Sequence, residues 1–182
     1  MKIFLVLAAL MLGAMPAKAG AFMPISSMFY LQGPPGYREL CLTFPSVCAP
    51  GGNSSVRYAD VAATLENINS SVNREIAFFP DPQGQDIWTI NPARGDCEDY
   101  AITKRARLLE MGLPASALLI ATAKTEDGGP HAVLVVRTDE GDYVLDSRKV
   151  NVMRWDYLRY HWVARTSPKD PKVWQIFEQS AR

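Results

Sequence analysis

Apolar residues recur at helical spacing in one long stretch. Val61, Leu65, Ile68, Val72 and Ile76 fall four, three, four and four residues apart, one stripe of a helix expected from about Arg57 to Ile76. A second helix is expected from Asp96 or Cys97 through Ala101, Ile102, Leu108 and Leu109 to Met111, with Gly112 as its terminator and Pro114 just beyond. Between them, Pro80-Asp81-Pro82-Gln83-Gly84 stops the first helix and opens a loop through Trp88 and Pro92 to Gly95. Then the period changes. Ala117 to Ala123 reads as a short strand, His131 to Thr138 as a β-branched strand, Asp139 to Asp142 as turn chemistry and Tyr143 to Asp146 as the return strand of a hairpin.

Before the first helix, Gly33-Pro34-Pro35-Gly36, Pro45 and Ala49-Pro50-Gly51-Gly52-Asn53 interrupt every periodic pattern, so Phe22 to Ser55 is expected to be an irregular wrap. Beyond Val150, Val152, Trp155, Leu158, Trp162 and Trp174 stand among charges, as in short elements closing over a sheet. The order helix, loop, helix, strands argues an α+β domain.

The first nineteen residues stand apart. Lys2 precedes an apolar stretch from Ile3 to Met15, too short to span a bilayer, and Ala17-Lys18-Ala19 is a small-x-small cleavage signature. Residues 1–19 are therefore read as a cleaved secretory signal and 20–182 as one domain, exported to the periplasm and not membrane-spanning. The 19 Lys and Arg balance 19 Asp and Glu, and loss of Lys2 and Lys18 leaves a net charge of −2. No basic run offers a footprint for nucleic acid. A chain of this size buries roughly 70% of its unfolded surface, enough for a core without a structural metal.

Export decides how the three cysteines are read. Cys41 and Cys48 have six residues between them and can bridge if the chain turns there, a closure stabilising by about 2.5 kcal/mol on the chain-entropy model. Cys97 is left over, an inert core thiol or a reactive one. At the start of a helix, unpaired N–H groups and the dipole favour a thiolate and could also receive an oxyanion. Asp96, Glu98 and Asp99 oppose this by raising the thiol pKa unless a cation neutralises them.

The base must come from His131 or His161. A two-residue turn at Thr138-Asp139 with Gly141 bulged would set His131 opposite Asp146, whereas a four-residue turn from Asp139 to Asp142 would set Asp146 opposite Val135. Either way both side chains share a sheet face. Cys97, His131 and Asp146 then fit the roles of nucleophile, base and orienter.

Gly95-Asp96-Cys97-Glu98-Asp99-Tyr100-Ala101, with Lys104, Leu108 and Gly112, followed by His131-Ala132-Val133-Leu134-Val135 and Val144-Leu145-Asp146, resembles the bacterial transglutaminase-like cysteine protease family. The likeness runs from Trp88 to Asp146. It implies a papain-like transglutaminase core, a helix carrying the cysteine packed on an antiparallel sheet carrying histidine and aspartate. It also implies Cys97 as nucleophile, His131 as general base, Asp146 as its orienter, and calcium held by Asp96 and Glu98 with Asp99 as a third ligand; oxygen ligands suit Ca²⁺. The characterised branch comprises periplasmic proteases that release a large biofilm adhesin and are held inactive when an inner-membrane receptor sequesters them. This chain departs from that branch in its shorter N-terminal side and its Cys41/Cys48 pair.

Rival chemistries find little support. Two histidines thirty residues apart, without Cys-x-x-Cys or His-Glu-x-x-His, give no usual zinc spacing, and no Gly-x-Ser-x-Gly elbow is present. The same triad could pass an acyl group to water, as an amidase does, or to an amine, as a transglutaminase does. A non-catalytic periplasmic binding module on this fold is the alternative from another class. Upstream of Cys97, Gln85 and Trp88 are the candidates for a second oxyanion donor.

Overall fold

The computed structural model describes residues 20–177. The expected signal segment lies outside them. Among them, no helix is long and apolar enough to cross a membrane. In chain order the elements are β1 (Ile25–Gln32), α1 (Pro35–Thr43), α2 (Tyr58–Glu75), β2 (Ala77–Phe78), β3 (Arg94–Gly95), α3 (Cys97–Glu110), β4 (Leu118–Lys124), β5 (Pro130–Thr138), β6 (Gly141–Leu145), β7 (Met153–Arg154), β8 (His161–Thr166) and β9 (Val173–Phe177). Seven strands form one antiparallel sheet in the order β1-β9-β8-β4-β5-β6-β7, and β2 and β3 form a separate parallel pair.

The sheet is buried on both faces, which explains the unbroken apolar run of β4. On one face Leu118, Ile120, Leu134, Val136 and Leu145 pack against Ala101, Ile102 and Leu108 of α3 and Leu65 of α2. On the other, Leu119, Ala121, Val133, Val135 and Val144 pack with Met23, Leu158, Tyr160, Trp162 and Phe177. The helix α3 is sunk into the core through most of its length, polar positions included. Arg105 is anchored by the carbonyls of Val47, Ala115 and Leu118. The last turn closes with Gly112 at φ 86°, Leu113 N–H reaching Leu108 O (3.0 Å) and Gly112 N–H reaching Leu109 O (2.9 Å). Only a residue tolerant of positive φ ends a helix this way.

Three local expectations are corrected. The segment from Phe22 to Ser55 is not an irregular wrap: it supplies β1, the sheet-edge partner of β9, and α1, which buries Tyr37, Leu40 and Cys41. Pro34-Pro35 does not block a helix there, because Pro35 at the first helical position lacks an N–H that would be unpaired anyway. Cys41 and Cys48 lie with their sulfurs at bonding distance and their Cα atoms 5.4 Å apart.

The stretch from Pro80 to Gly95 is loop as expected except at its end, where β3 pairs with β2. The hairpin adopts neither expected register. Thr138 pairs with Gly141 across a two-residue Asp139–Glu140 turn, and Leu134 pairs with Leu145. Thr138 closes the turn with its own hydroxyl, donating to Gly141 O (2.8 Å) and accepting from Glu140 N–H (3.1 Å), while Gly141 takes φ 124°. Continued one step, this register sets Asp146 opposite Val133, diagonal to His131 on the same face.

A buried polar bridge ties the two long helices to the segment after β6. Lys104 is fully buried and donates to Asn69 Oδ1 (2.8 Å), and Asn69 in turn donates to the carbonyls of Lys149 (3.1 Å) and Val150 (3.2 Å). Asn73 donates to the carbonyls of Asp146 (2.9 Å) and Lys149 (3.1 Å). Burial pulls the Lys104 ammonium down to about 7 from its ordinary 10.5, against the opposing pull of Asp146. Between those values the unfolded chain holds a proton that the folded chain does not, so this group makes stability rise with pH. The stability advantage of wild type over Lys104→Met is therefore expected to be smallest near pH 7 and to grow towards pH 9.5, read from urea midpoints.

Candidate active site

A cleft of about 950 Å³ opens where α3 begins and β5 begins, lined by Cys97, His131, Asp96, Glu98, Gln85 and Trp88 among others. Its two halves come from opposite faces of the sheet. Cys97 stands in the first turn of α3, on the face with Ala132 and Leu134. The strand alternation puts His131 with Val133 and Val135 on the other face. They meet at the strand's end, where the backbone of Ala132, one residue from His131, lowers the Cys97 pKa and so favours its anion.

The histidine is buried and held on two sides. His131 Nε2 lies 2.8 Å from Asp146 Oδ1 and the ring meets that of Tyr160 edge-on, with centroids 5.6 Å apart. Nε2–H donates to the carboxylate, which leaves Nδ1 as the ring's acceptor. Asp146 is itself fully buried. Its Oδ2 accepts the Tyr160 hydroxyl (2.6 Å) and its Oδ1 also accepts the Arg148 N–H (2.8 Å). Burial alone would raise its pKa, but the hydrogen bonds from His131, Tyr160 and Arg148 hold it below the ordinary carboxylate value. Tyr160 is the partner that sequence reasoning missed: it lies fourteen residues beyond Asp146, in a stretch with no periodic signal.

The acidic residues around Cys97 divide by task. Asp99 Oδ1 accepts from Thr89 N–H (2.6 Å) and its Oδ2 from Asp96 N–H (3.2 Å), so both oxygens of this expected metal ligand bind backbone at the helix start. Gly95 makes that possible, since a Cβ there would stand 2.0 Å from Asp99 Oδ2. Asp96, Cys97 and Glu98, by contrast, each place a ligand atom within 4.8 Å of the others. Asp96 Oδ2 accepts Asp81 N–H (3.0 Å), and its buried Oδ1 has no partner. Of the two upstream candidates, Trp88 packs edge-on against Tyr37 and commits its indole N–H to Asp86 Oδ1 (2.9 Å), whereas Gln85 stands exposed on the cleft wall.

A helix-borne cysteine facing a buried His–Asp pair across one cleft is the arrangement of a thiol hydrolase. The model of the bacterial transglutaminase-like cysteine proteinases matches residues 30–182. The chain belongs to this family. Solved structures of Legionella pneumophila LapG resemble it. The calcium-bound form is 25% identical with a TM-score of 0.56, over 66% of this chain and 73% of that one. A second structure is 28% identical with a TM-score of 0.53, over 59% and 64%, and the EGTA-treated form is 26% identical with a TM-score of 0.56, over 66% and 69%. No curated protein matches the chain in sequence.

As a cysteine proteinase the chain carries an unresolved charge problem at its helix start. Burial pushes the Cys97 thiol pKa up, and the charge of Glu98 and the S–H bond to Glu98 Oε2 (3.1 Å) push it further, against the lowering effect of the Ala132 backbone. Burial and a hydrogen bond with Asp96 bring Glu98 up to about 8. Burial and the neighbouring acids thus favour the protonated forms of both Glu98 and the Cys97 thiol. Removing the hydroxyl that satisfies the buried Asp146 isolates the other side of the site: Tyr160→Phe is expected to lose about 1–3 kcal/mol, the cost of an orphaned buried acceptor, in urea unfolding.

Proposed function

We propose that the protein is a periplasmic cysteine endopeptidase that hydrolyses a peptide bond in an exported or surface protein, with Cys97, His131 and Asp146 as its triad. The observation that carries this reading is the buried His131–Asp146 pair, oriented by Tyr160 and sharing a cleft with a thiol at a helix start. The Cys97 proton passes to Nδ1 of His131 as the sulfur attacks the scissile carbonyl carbon. Asp146, bound through Nε2, keeps the ring in that tautomer and stabilises the imidazolium. The backbone N–H of Cys97 faces the developing oxyanion, and Gln85 is the candidate for a second donor. The imidazolium then protonates the leaving amine, and His131 draws a proton from the water that hydrolyses the thioester.

The residues at the helix start fit a divalent cation: converging carboxylates, a buried unpaired Asp96 oxygen, and a pile-up of negative charge that holds the thiol protonated. Asp96 and Glu98 would hold calcium, which Legionella pneumophila LapG binds in one of its structures, and Asp99 would support them from the helix cap. When bound, calcium would cancel the acidic charge beside the sulfur. The secretory reading of residues 1–19 places the enzyme outside the cytoplasm, where the family likeness suggests release of a large surface adhesin and control by sequestration on an inner-membrane receptor.

Three measurements test this. Iodoacetamide is expected to alkylate Cys97 faster in calcium than in EGTA, and EGTA to lower Tm; equal rates and equal Tm would remove calcium from the account. Asp96→Ala is expected to reproduce the EGTA state in the presence of calcium. In cells, Cys97→Ala is expected to retain a surface protein that wild type releases, read by comparing envelope and supernatant proteins; identical fractions would contradict the protease reading.

A further inference from the structure

The cleft that holds Cys97 is unevenly charged. Its acids, Asp81, Asp86, Asp96 and Glu98, come from the start of α3 and the loop before it, whereas Lys124 and Arg148 come from the end of β4 and the segment after β6. Ser147 and Arg148 also line a second groove of about 370 Å³, so the two hollows meet at the residues that directly follow Asp146. Three of this groove's seven lining residues are cationic, Arg74, Arg148 and Lys149, and none is acidic, in a chain whose acidic and basic residues balance.

The backbone beneath these charges is fixed. Asn73 holds the carbonyls of Asp146 and Lys149, Asn69 holds those of Lys149 and Val150, and Lys149 N–H returns to Asp146 O (3.3 Å). A segment ordered in this way loses little freedom when a ligand arrives. The charges themselves are available. Arg148 pairs with Asp127 at 3.7 Å, but the two side chains are 51% and 71% exposed, and so wet a pair holds a guanidinium weakly. Glu75, the carboxylate next to Arg74 in the chain, is taken by Arg107 (2.7 Å). Among the described residues, Arg74 and Lys149 form no ion pair.

We propose that this groove is a substrate subsite for an acidic side chain, with Arg74, Arg148 and Lys149 as its specificity-determining residues. An extended peptide lying across Cys97 and His131 leaves the cleft over Ser147, and an Asp or Glu a few residues from the scissile bond enters the groove. The acids on the other wall repel such a segment, so the charge pattern also sets the direction in which it lies. The residues beside the scissile bond are not constrained by this contact. The substrate class is therefore an extended segment of a protein with acidic residues to one side of the cut. This rests on Cys97 being the nucleophile of a proteinase.

The test reads Cys97 alkylation on the full mature chain in calcium. Iodoacetamide reports sulfur reactivity alone. Alanine peptides with a haloketone or haloacetyl warhead at one end, and a single Asp, Asn or Lys stepped along the chain away from it, report recognition. At one position in one of the two series, wild type is expected to react about fivefold faster with the Asp probe than with the Asn probe, the size of a partly exposed charge pair. That ratio is expected to fall towards one in about 1 M NaCl, where charges are screened beyond about 3 Å. Arg74→Gln combined with Lys149→Gln is expected to lose the preference with an unchanged iodoacetamide rate, and Arg74→Glu combined with Lys149→Glu to reverse it in favour of the Lys probe. Lys124→Gln, which removes the cleft's other cation, is expected to keep it. An Asp preference that is absent at every position, that survives both double variants, or that is lost in Lys124→Gln overturns the proposal with the nucleophile intact. An inert Cys97 towards iodoacetamide overturns the nucleophile reading, and this proposal with it.

Discussion

The carboxylate of Asp146 is buried completely and remains an anion, and the site is arranged around keeping it so. An isolated carboxylate in such a place would take up a proton. Here the imidazole of His131, the hydroxyl of Tyr160 and the N–H of Arg148 all donate to it. The peptide that carries it is fixed as well, because Asn73 on α2 binds its carbonyl and Asn69 binds the carbonyls that follow. Lys104 on α3 binds Asn69 from the opposite side, so the helix that carries Cys97 also braces the segment that carries Asp146. A group placed this tightly can hold a histidine tautomer without reorganising as charge moves.

The other half of the site is arranged in the opposite sense. Around Cys97 the charges are unbalanced: the sulfur donates to Glu98, burial and the neighbouring Asp96 raise the Glu98 pKa, and one oxygen of Asp96 has no partner. One side of the cleft is therefore satisfied within the chain, while the other leaves acidic charge uncompensated. The helix dipole alone is worth too little to overcome three adjacent carboxylates. Asp99 limits the imbalance by spending both oxygens on backbone amides at the helix start, at the cost of a glycine at position 95.

Cys97 and His131 approach from opposite faces of a doubly buried sheet, and the place where that can happen is the sheet's end. Ala132 marks this point, since it belongs to the strand of the histidine and its backbone favours the anion of the helix-borne sulfur. The β2–β3 pair extends the same end of the molecule and adds to the wall of the cleft.

Local chemistry was written plainly in the residues. The stripe from Val61 to Ile76, the Gly112 stop, the β-branched run of β5 and the thiol at a helix start each follow from spacing or from one residue's backbone preference, and each is legible without a neighbour. The common face of His131 and Asp146 was legible too, since it depends only on parity, which survives the change of register. What only tertiary structure decided is whatever depends on a distant partner. β1 and α1 form in a Pro- and Gly-rich stretch because β9 and the core complete them. Thr138 selected the hairpin register through a side-chain bond that no periodicity encodes. Tyr160 reaches Asp146, Lys104 reaches Asn69, and Asp99 turns from the expected metal ligands to the helix cap, because folding brings together groups between which the sequence carries no pattern.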